Sequence, residues 1–306
     1  MKSQITAIML LLFLPVISCI DDDKCDCCGK DSEEMKSVSF KGVIFSAISV
    51  KSSKTIPAGI RAVILAYESG DNPVIKSCYP ATPLTVISDQ NGNLVIENES
   101  PLFMPVGNYD FYAISINSGN QEKFEFDAGK IKGLMNGTDY LWATKKEIVI
   151  NNSTNVTFDF IHKAVAIELD FIAGNGIDYL YITNVQTAMS ADGGELMLSS
   201  GEITPSLALS SLMEKLDVIN NTCRWIMLPL SGLSELPIII EAILQKGDKV
   251  ESKRFATSLP IVNRNYKAGT LYKYFIQVEA DSLSFGNTAV SEWAGISMDN
   301  IIVREQ

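Results

Sequence analysis

The stretch Asn155-Val-Thr-Phe-Asp-Phe-Ile-His-Lys-Ala-Val-Ala-Ile-Glu-Leu-Asp-Phe171 decides the fold class. In its first part Val156, Phe158 and Phe160 alternate with Asn155, Thr157 and Asp159. A period of two lays one apolar row along one face of a half-buried antiparallel strand. In its second part Val165, Ile167, Leu169 and Phe171 alternate with Ala166, Glu168 and Asp170, so the parity of the row changes across His162 to Ala164. A shift of one residue sends every later side chain to the opposite face. The chain here either bulges or passes from one sheet to another.

The same alternation recurs outward from this point. Tyr272, Tyr274, Ile276 and Val278 alternate with Lys273, Gln277 and Glu279. Further strand-like runs stand at 38–50, 61–67, 84–87, 93–97, 108–116, 145–150, 178–186, 224–229, 237–245 and 250–257, divided by clusters of Gly, Asn, Asp and Pro. Helical signals are few: a turn near 128–135, and Leu207 to Leu216, where Leu209, Leu212, Met213 and Leu216 fall at helical spacing. Many short strands and little helix predict an all-β chain of two tandem antiparallel β-sandwiches with Greek-key-type connections. The best boundary is near residue 160, after the Asn-rich stretch 151–155, giving sandwiches over 37–160 and 161–306.

Ahead of the sandwiches, Lys2 is followed by an apolar run from Ile5 to Ile17, too short to span a bilayer and of the length of a secretory signal. It ends in Val16-Ile17-Ser18-Cys19, which resembles the bacterial lipobox. Residues 1–18 then form a lipoprotein signal peptide, and Cys19 is the acylated residue that anchors the chain to the outer membrane. The alternative is an ordinary signal peptide that ends near a cysteine. Residues 19–36 hold seven acids against three lysines, an acidic tether with too little apolar surface to fold. Its acidic cluster resembles a surface-export signal or serves as a solvated spacer.

Cys25, Cys27 and Cys28 lie in the tether as Cys-Asp-Cys-Cys. That spacing lacks the second pair a zinc knuckle needs, so no metal is expected. Cys78 and Cys223 are the only cysteines downstream and could pair in an oxidising envelope. The formal charge of −11, with only five arginines and none adjacent to another, argues against a nucleic-acid partner. The single histidine, His162, removes most histidine-based catalysis and multi-histidine metal sites. Neither an enzyme activity nor a cofactor is expected.

Five local patterns in order resemble the fimbrillin-like lipoproteins of Bacteroidetes, subunits of type V pili. They are Pro105-Val-Gly-Asn-Tyr-Asp-Phe-Tyr-Ala113, Asp139-Tyr-Leu-Trp-Ala-Thr144, Phe158-Asp-Phe-Ile-His-Lys163, Ala268-Gly-Thr-Leu-Tyr-Lys-Tyr274 and Val290-Ser-Glu-Trp-Ala-Gly295. The resemblance implies two transthyretin-like sandwiches, with the crossing between them beginning at the Phe-x-His-Lys pattern. In that setting His162 is a structural residue satisfying loop carbonyls, and Trp293 packs in the core.

The resemblance further implies a cell-surface fimbria built from lipidated precursors by donor-strand exchange, with other pilin subunits as partners and an adhesion ligand the sequence does not name. The strand to be removed corresponds to Val38 to Val50, with Val43, Ile44, Phe45, Ile48 and Val50 placing apolar groups on both faces. Arg61, the only arginine of the N-terminal half, is the one place there for an arginine-specific protease; the other reading is an ordinary strand arginine. A competing reading is a stand-alone surface lipoprotein that binds glycans, which needs exposed aromatic platforms from Trp142, Trp225 or Trp293. Asp281-Ser282-Leu283 resembles a short O-glycosylation motif, with Ser282 as acceptor.

Overall fold

The computed structural model describes residues 34–44, 54–73, 76–97, 101–120 and 123–293. The N-terminal half runs through β1 (Met35–Ile44), β2 (Lys54–Thr55), β3 (Arg61–Glu68), β4 (Leu84–Ser88), β5 (Asn93–Ile96), β6 (Leu102–Pro105), β7 (Gly107–Ser115), β8 (Glu125–Asp127), β9 (Lys130–Leu134), β10 (Leu141–Ile150) and β11 (Thr154–His162). The C-terminal half continues with β12 (Val165–Ala173), β13 (Tyr179–Ser190), β14 (Gly194–Met197), β15 (Glu202–Ile203), β16 (Leu209–Leu216), β17 (Val218–Ile219) and β18 (Thr222–Met227). It ends with β19 (Leu230–Ser231), β20 (Glu235–Lys246), β21 (Lys249–Pro260), β22 (Asn265–Tyr266), β23 (Thr270–Val278), β24 (Leu283–Phe285) and β25 (Ala289–Glu292).

Among the described residues the only helix is the short 3₁₀ turn Val262–Arg264. The chain is all-β, as the alternation predicts, but both helical expectations fail. The segment 128–135 carries β9, and Leu209 to Leu216 is β16. β16 lies antiparallel to β13, with Leu216 opposite Val185 and Met213 opposite Ala188. The open edge of β13 satisfies its backbone, and that pairing outweighs a local spacing that suits a helix. β1 begins at Met35, so the last residues of the range 19–36 expected for the tether lie in a strand.

The N-terminal half departs from the expected open sandwich. Strands β11, β10, β7, β3, β4, β5 and β1 pair in that order, and β1 returns to β11, closing a seven-stranded ring. Strand alternation cannot separate the two architectures, since both bury every second side chain. Phe40, Phe111, Phe158, Phe160, Ile56, Ile60 and Ile64 fill the ring.

In the C-terminal half two sheets share one core: a six-stranded sheet built on β17, β18, β12, β23 and β24, with β25 beside β23, and the four-stranded sheet β16-β13-β20-β21. The turn Asn220-Asn221 that joins β17 to β18 has positive φ at both residues, the geometry of a tight hairpin. The Asn221 side chain accepts from Ile182 N–H and donates to Leu180 C=O, so it holds the start of β13.

The parity change after β11 is a passage between sheets. β11 belongs to the ring, whereas β12 lies in the six-stranded sheet. A further sheet, β15-β14-β9-β8, combines strands from both halves. Beneath it Tyr67, Tyr112, Trp142, Leu196 and Leu198 form a core of their own, and Trp142 Nε1 donates to Leu198 C=O at 3.0 Å. The described residues from Met35 to Trp293 belong to one compact unit.

Candidate strand-exchange site

β1 has neighbours along both edges. It runs parallel to β11, from Val38 opposite Thr154 to Ile44 opposite Phe160. On its other side it meets β6, β5 and β2 in turn, all antiparallel. Its inward row is Val38, Phe40, Gly42 and Ile44, with the three side chains 3%, 2% and 6% exposed. The Phe40 ring stacks on Phe158 at 5.9 Å and meets Phe111 edge-on at 5.8 Å. The outward row carries Ser37, Ser39 and Lys41 between Met35 and Val43; Ser37 donates to Ser153 Oγ, and Asn155 donates to Ser39 Oγ. From Val38 to Lys41 the strand alternates apolar and polar, and at its end the outward Val43 and the inward Ile44 place apolar groups on both faces.

Val43 points outward and is half-buried. Phe45, Ile48 and Val50 lie outside the described residues. The residues that seat the strand are Val38, Phe40 and Ile44, of which Phe40 alone is not among those the expected strand names. Its signal was available in Val38-Ser-Phe40-Lys-Gly42, an alternation that precedes the denser apolar run at Val43 to Phe45.

Arg61 opens β3, whose neighbours on either side are β4 and β7. Ala62, the next residue, lies opposite Val86 and Ser115 at once. Arg61 N–H donates to Ser118 C=O at 2.9 Å, and its carbonyl accepts from Ser115 Oγ at 2.5 Å. The guanidinium pairs with Glu97 at 2.8 Å, donates to Gly119 C=O, and is 29% exposed. Just upstream, Ile56 and Ile60 are fully buried in the ring, and Ser88 ties that segment down through Ile60 N–H and Pro57 C=O. A protease must draw several residues of extended chain into its cleft, so a cut after Arg61 requires local unfolding of a strand paired on both edges.

A model of the fimbrillin-like family matches residues 54–293. This chain belongs to the fimbrillin-like family. The matched region begins at Lys54, beyond β1, and ends at Trp293. No curated protein matches the chain. A Bacteroides ovatus structure proposed as a cell adhesion protein is similar over 86% of this chain and 100% of its own, at 16% identity and a TM-score of 0.59. A Bacteroides uniformis protein proposed for the same role covers 84% of this chain and 98% of its own, at 14% identity and a TM-score of 0.60. A fimbrial protein from Bacteroides vulgatus covers 84% and 99%, at 10% identity and a TM-score of 0.57. At such identities the likeness is one of fold.

The remaining candidate residues of this fimbrillin-like chain fall into place around its cores. His162 Nδ1 lies 2.8 Å from Asp139 Oδ1, Asn117 donates to Asp139 Oδ2, and all three residues are buried. The partner of the ring is thus a carboxylate and not the expected loop carbonyl. Trp293 stacks on the imidazole at 4.4 Å, nearly parallel. The cluster ties together the end of β7, the start of β10 and the end of β11, and the sequence reading missed Asp139 and Asn117 as its members.

Trp142, Trp225 and Trp293 are all buried, so none of them offers a platform to a sugar. Lys163 lies over the Trp142 ring at 4.6 Å, and burial holds its ammonium pKa below the usual value. Cys78 and Cys223 are free thiols in separate cores and do not pair. Ser282 is exposed in the turn between β23 and β24. Among the described residues no group of three or more potential metal ligands occurs. Cys19, Cys25, Cys27 and Cys28 lie outside the described residues.

Proposed function

We propose that this chain is a subunit of a cell-surface fimbria, delivered as a precursor anchored to the outer membrane through Cys19, and that β1 occupies the position a strand from a neighbouring pilin subunit takes on assembly. The observation that carries this reading is the construction of β1: an inward apolar row seated between β11 on one edge and β6, β5 and β2 on the other. Withdrawing such a strand leaves unpaired N–H and C=O groups beside an apolar groove, the chemistry of strand addition.

The geometry at Arg61 favours a subunit that keeps residues 19–61, and with them its lipid, over one trimmed by an arginine-specific protease. A cut there would also carry away Ile56 and Ile60, opening a hole in the ring beyond the seat of β1. A lipid-retaining subunit belongs at the base of a fimbria. The glycan-binding alternative loses its footing because the three tryptophans pack inside. The test is the N-terminus of the protein purified from cells. An acylated Cys19 is expected; a chain starting at Ala62 overturns retention of the lipid and the basal role.

A further inference from the structure

The inward row of β1 is interrupted by a glycine. A Cβ built on Gly42 would lie 3.0 Å from Ile56 Cγ2, 3.2 Å from Phe160 Cε2 and 3.4 Å from Leu94 Cδ2. A methyl group would need its neighbours to move by a few tenths of an ångström, and a larger side chain has no room. The backbone is engaged at the same point: Gly42 N–H donates to Gly92 C=O at 2.8 Å, and Gly42 C=O accepts from Ile56 N–H at 3.3 Å. Gly92 has positive φ, and a Cβ on it would lie 3.0 Å from the Gly42 carbonyl oxygen. Two glycines thus face each other where the neighbour of β1 changes from β5 to β2.

We propose that the β1 seat selects its occupant by size at the Gly42 position. Resting on the reading that β1 is exchangeable, this defines the partner. A strand that enters must run parallel to β11 and present, at alternate positions, an aliphatic group, an aromatic ring, a glycine and an aliphatic group. The same glycine fixes register. A slip of one residue turns the apolar row outward. A slip of two keeps the row inward but drives the Phe40 or Ile44 equivalent into the space that admits no side chain. Outward positions, such as that of Val43, leave the choice open.

The test uses the full chain and synthetic peptides of residues 35–44. In the chain, Gly42→Val is expected to lower the melting temperature by several degrees, as overpacking does, while Val43→Leu leaves it within about one degree. In exchange, a labelled wild-type peptide and its Val43→Leu form are expected to enter the chain at least about tenfold more than the Gly42→Val form, followed by mass spectrometry of the complex. Equal entry of all three peptides, or a Gly42→Val chain that melts like the wild type, overturns the size filter. Failure of every peptide to enter, with Gly42→Val still destabilising, instead overturns the exchangeability of β1 and leaves the filter standing as a register lock.

Discussion

β1 and β16 are held in opposite ways. β1 has partners along both edges and buries every inward side chain, with Phe40 set between Phe158 and Phe111. Among the described residues β16 pairs with one strand, β13, at the end of its sheet, and its Leu212 is 66% exposed. The local sequences would rank them less far apart, since both carry several large apolar residues. The difference teaches that a strand is held by what flanks it. In the ring no edge is spare, so losing β1 opens two edges and a groove together. Among the described residues β16 ends its sheet, so losing it exposes one new edge, that of β13.

The largest effect expected from this contrast is at Phe40. Phe40→Ala should destabilise the fold by about 3 to 5 kcal/mol, the range for removing a large buried ring, read from urea unfolding. A loss below about 1 kcal/mol would show that the ring tolerates an empty seat, and the contrast with β16 would collapse. The second effect is at the rim of the ring, where Asp139 accepts from Asn117 and meets His162. Asp139→Ala leaves both partners buried without an acceptor and should remove about 1 to 3 kcal/mol per orphaned group. Asp139→Asn keeps one acceptor and should do less harm; equal damage from the two would mean the carboxylate shape, and not its bonding, matters.

Alkaline pH reaches the sandwich half instead. Burial pushes the Cys223 thiol from its usual 9 up to about 12, with Asp217 adding to the shift. Burial likewise pushes Tyr274 from 10 up to about 12. Both groups hold their protons longer folded than unfolded, so their contribution is complete below about pH 9 and is lost as pH rises towards 12. Unfolding temperature should therefore fall across that window. Cys223→Ala should flatten the first part, between about pH 9 and pH 10, because in the unfolded chain this thiol, with its ordinary value near 9, ionises ahead of Tyr274. An unchanged slope in that variant would move the alkaline sensitivity elsewhere.

Much of this architecture was legible in the sequence because period-two alternation reports burial directly. Val156, Phe158 and Phe160 against Val165, Ile167 and Leu169 located the passage between sheets to within a few residues. Ring closure was not legible, since the pairing of β1 with β11 joins residues more than a hundred positions apart and leaves no local mark. Phe40 and Gly42 were not picked out within the expected strand for a related reason: the dense run Val43-Ile-Phe45 dominates the local pattern, while a glycine reads as a break. Its absent side chain is the feature that fits. Arg61 was visible as a lone arginine, but its partners Glu97 and Gly119 come from distant loops, and only their convergence shows that the bond beside it is shielded.

The smallest expected effect completes the contrast. Leu212 projects from an edge strand with most of its surface in water, so Leu212→Thr removes little buried area and supplies a residue that favours extended backbone. Stability should change by no more than about 0.5 kcal/mol in either direction. If instead the substitution costs more than about 1 kcal/mol, β16 must draw on burial of that side chain as β1 draws on Phe40, and the two strands would differ in degree and not in kind. The pairing of Leu216 with Val185 and Met213 with Ala188 argues against that outcome, because the register of β16 on β13 is set by residues other than Leu212.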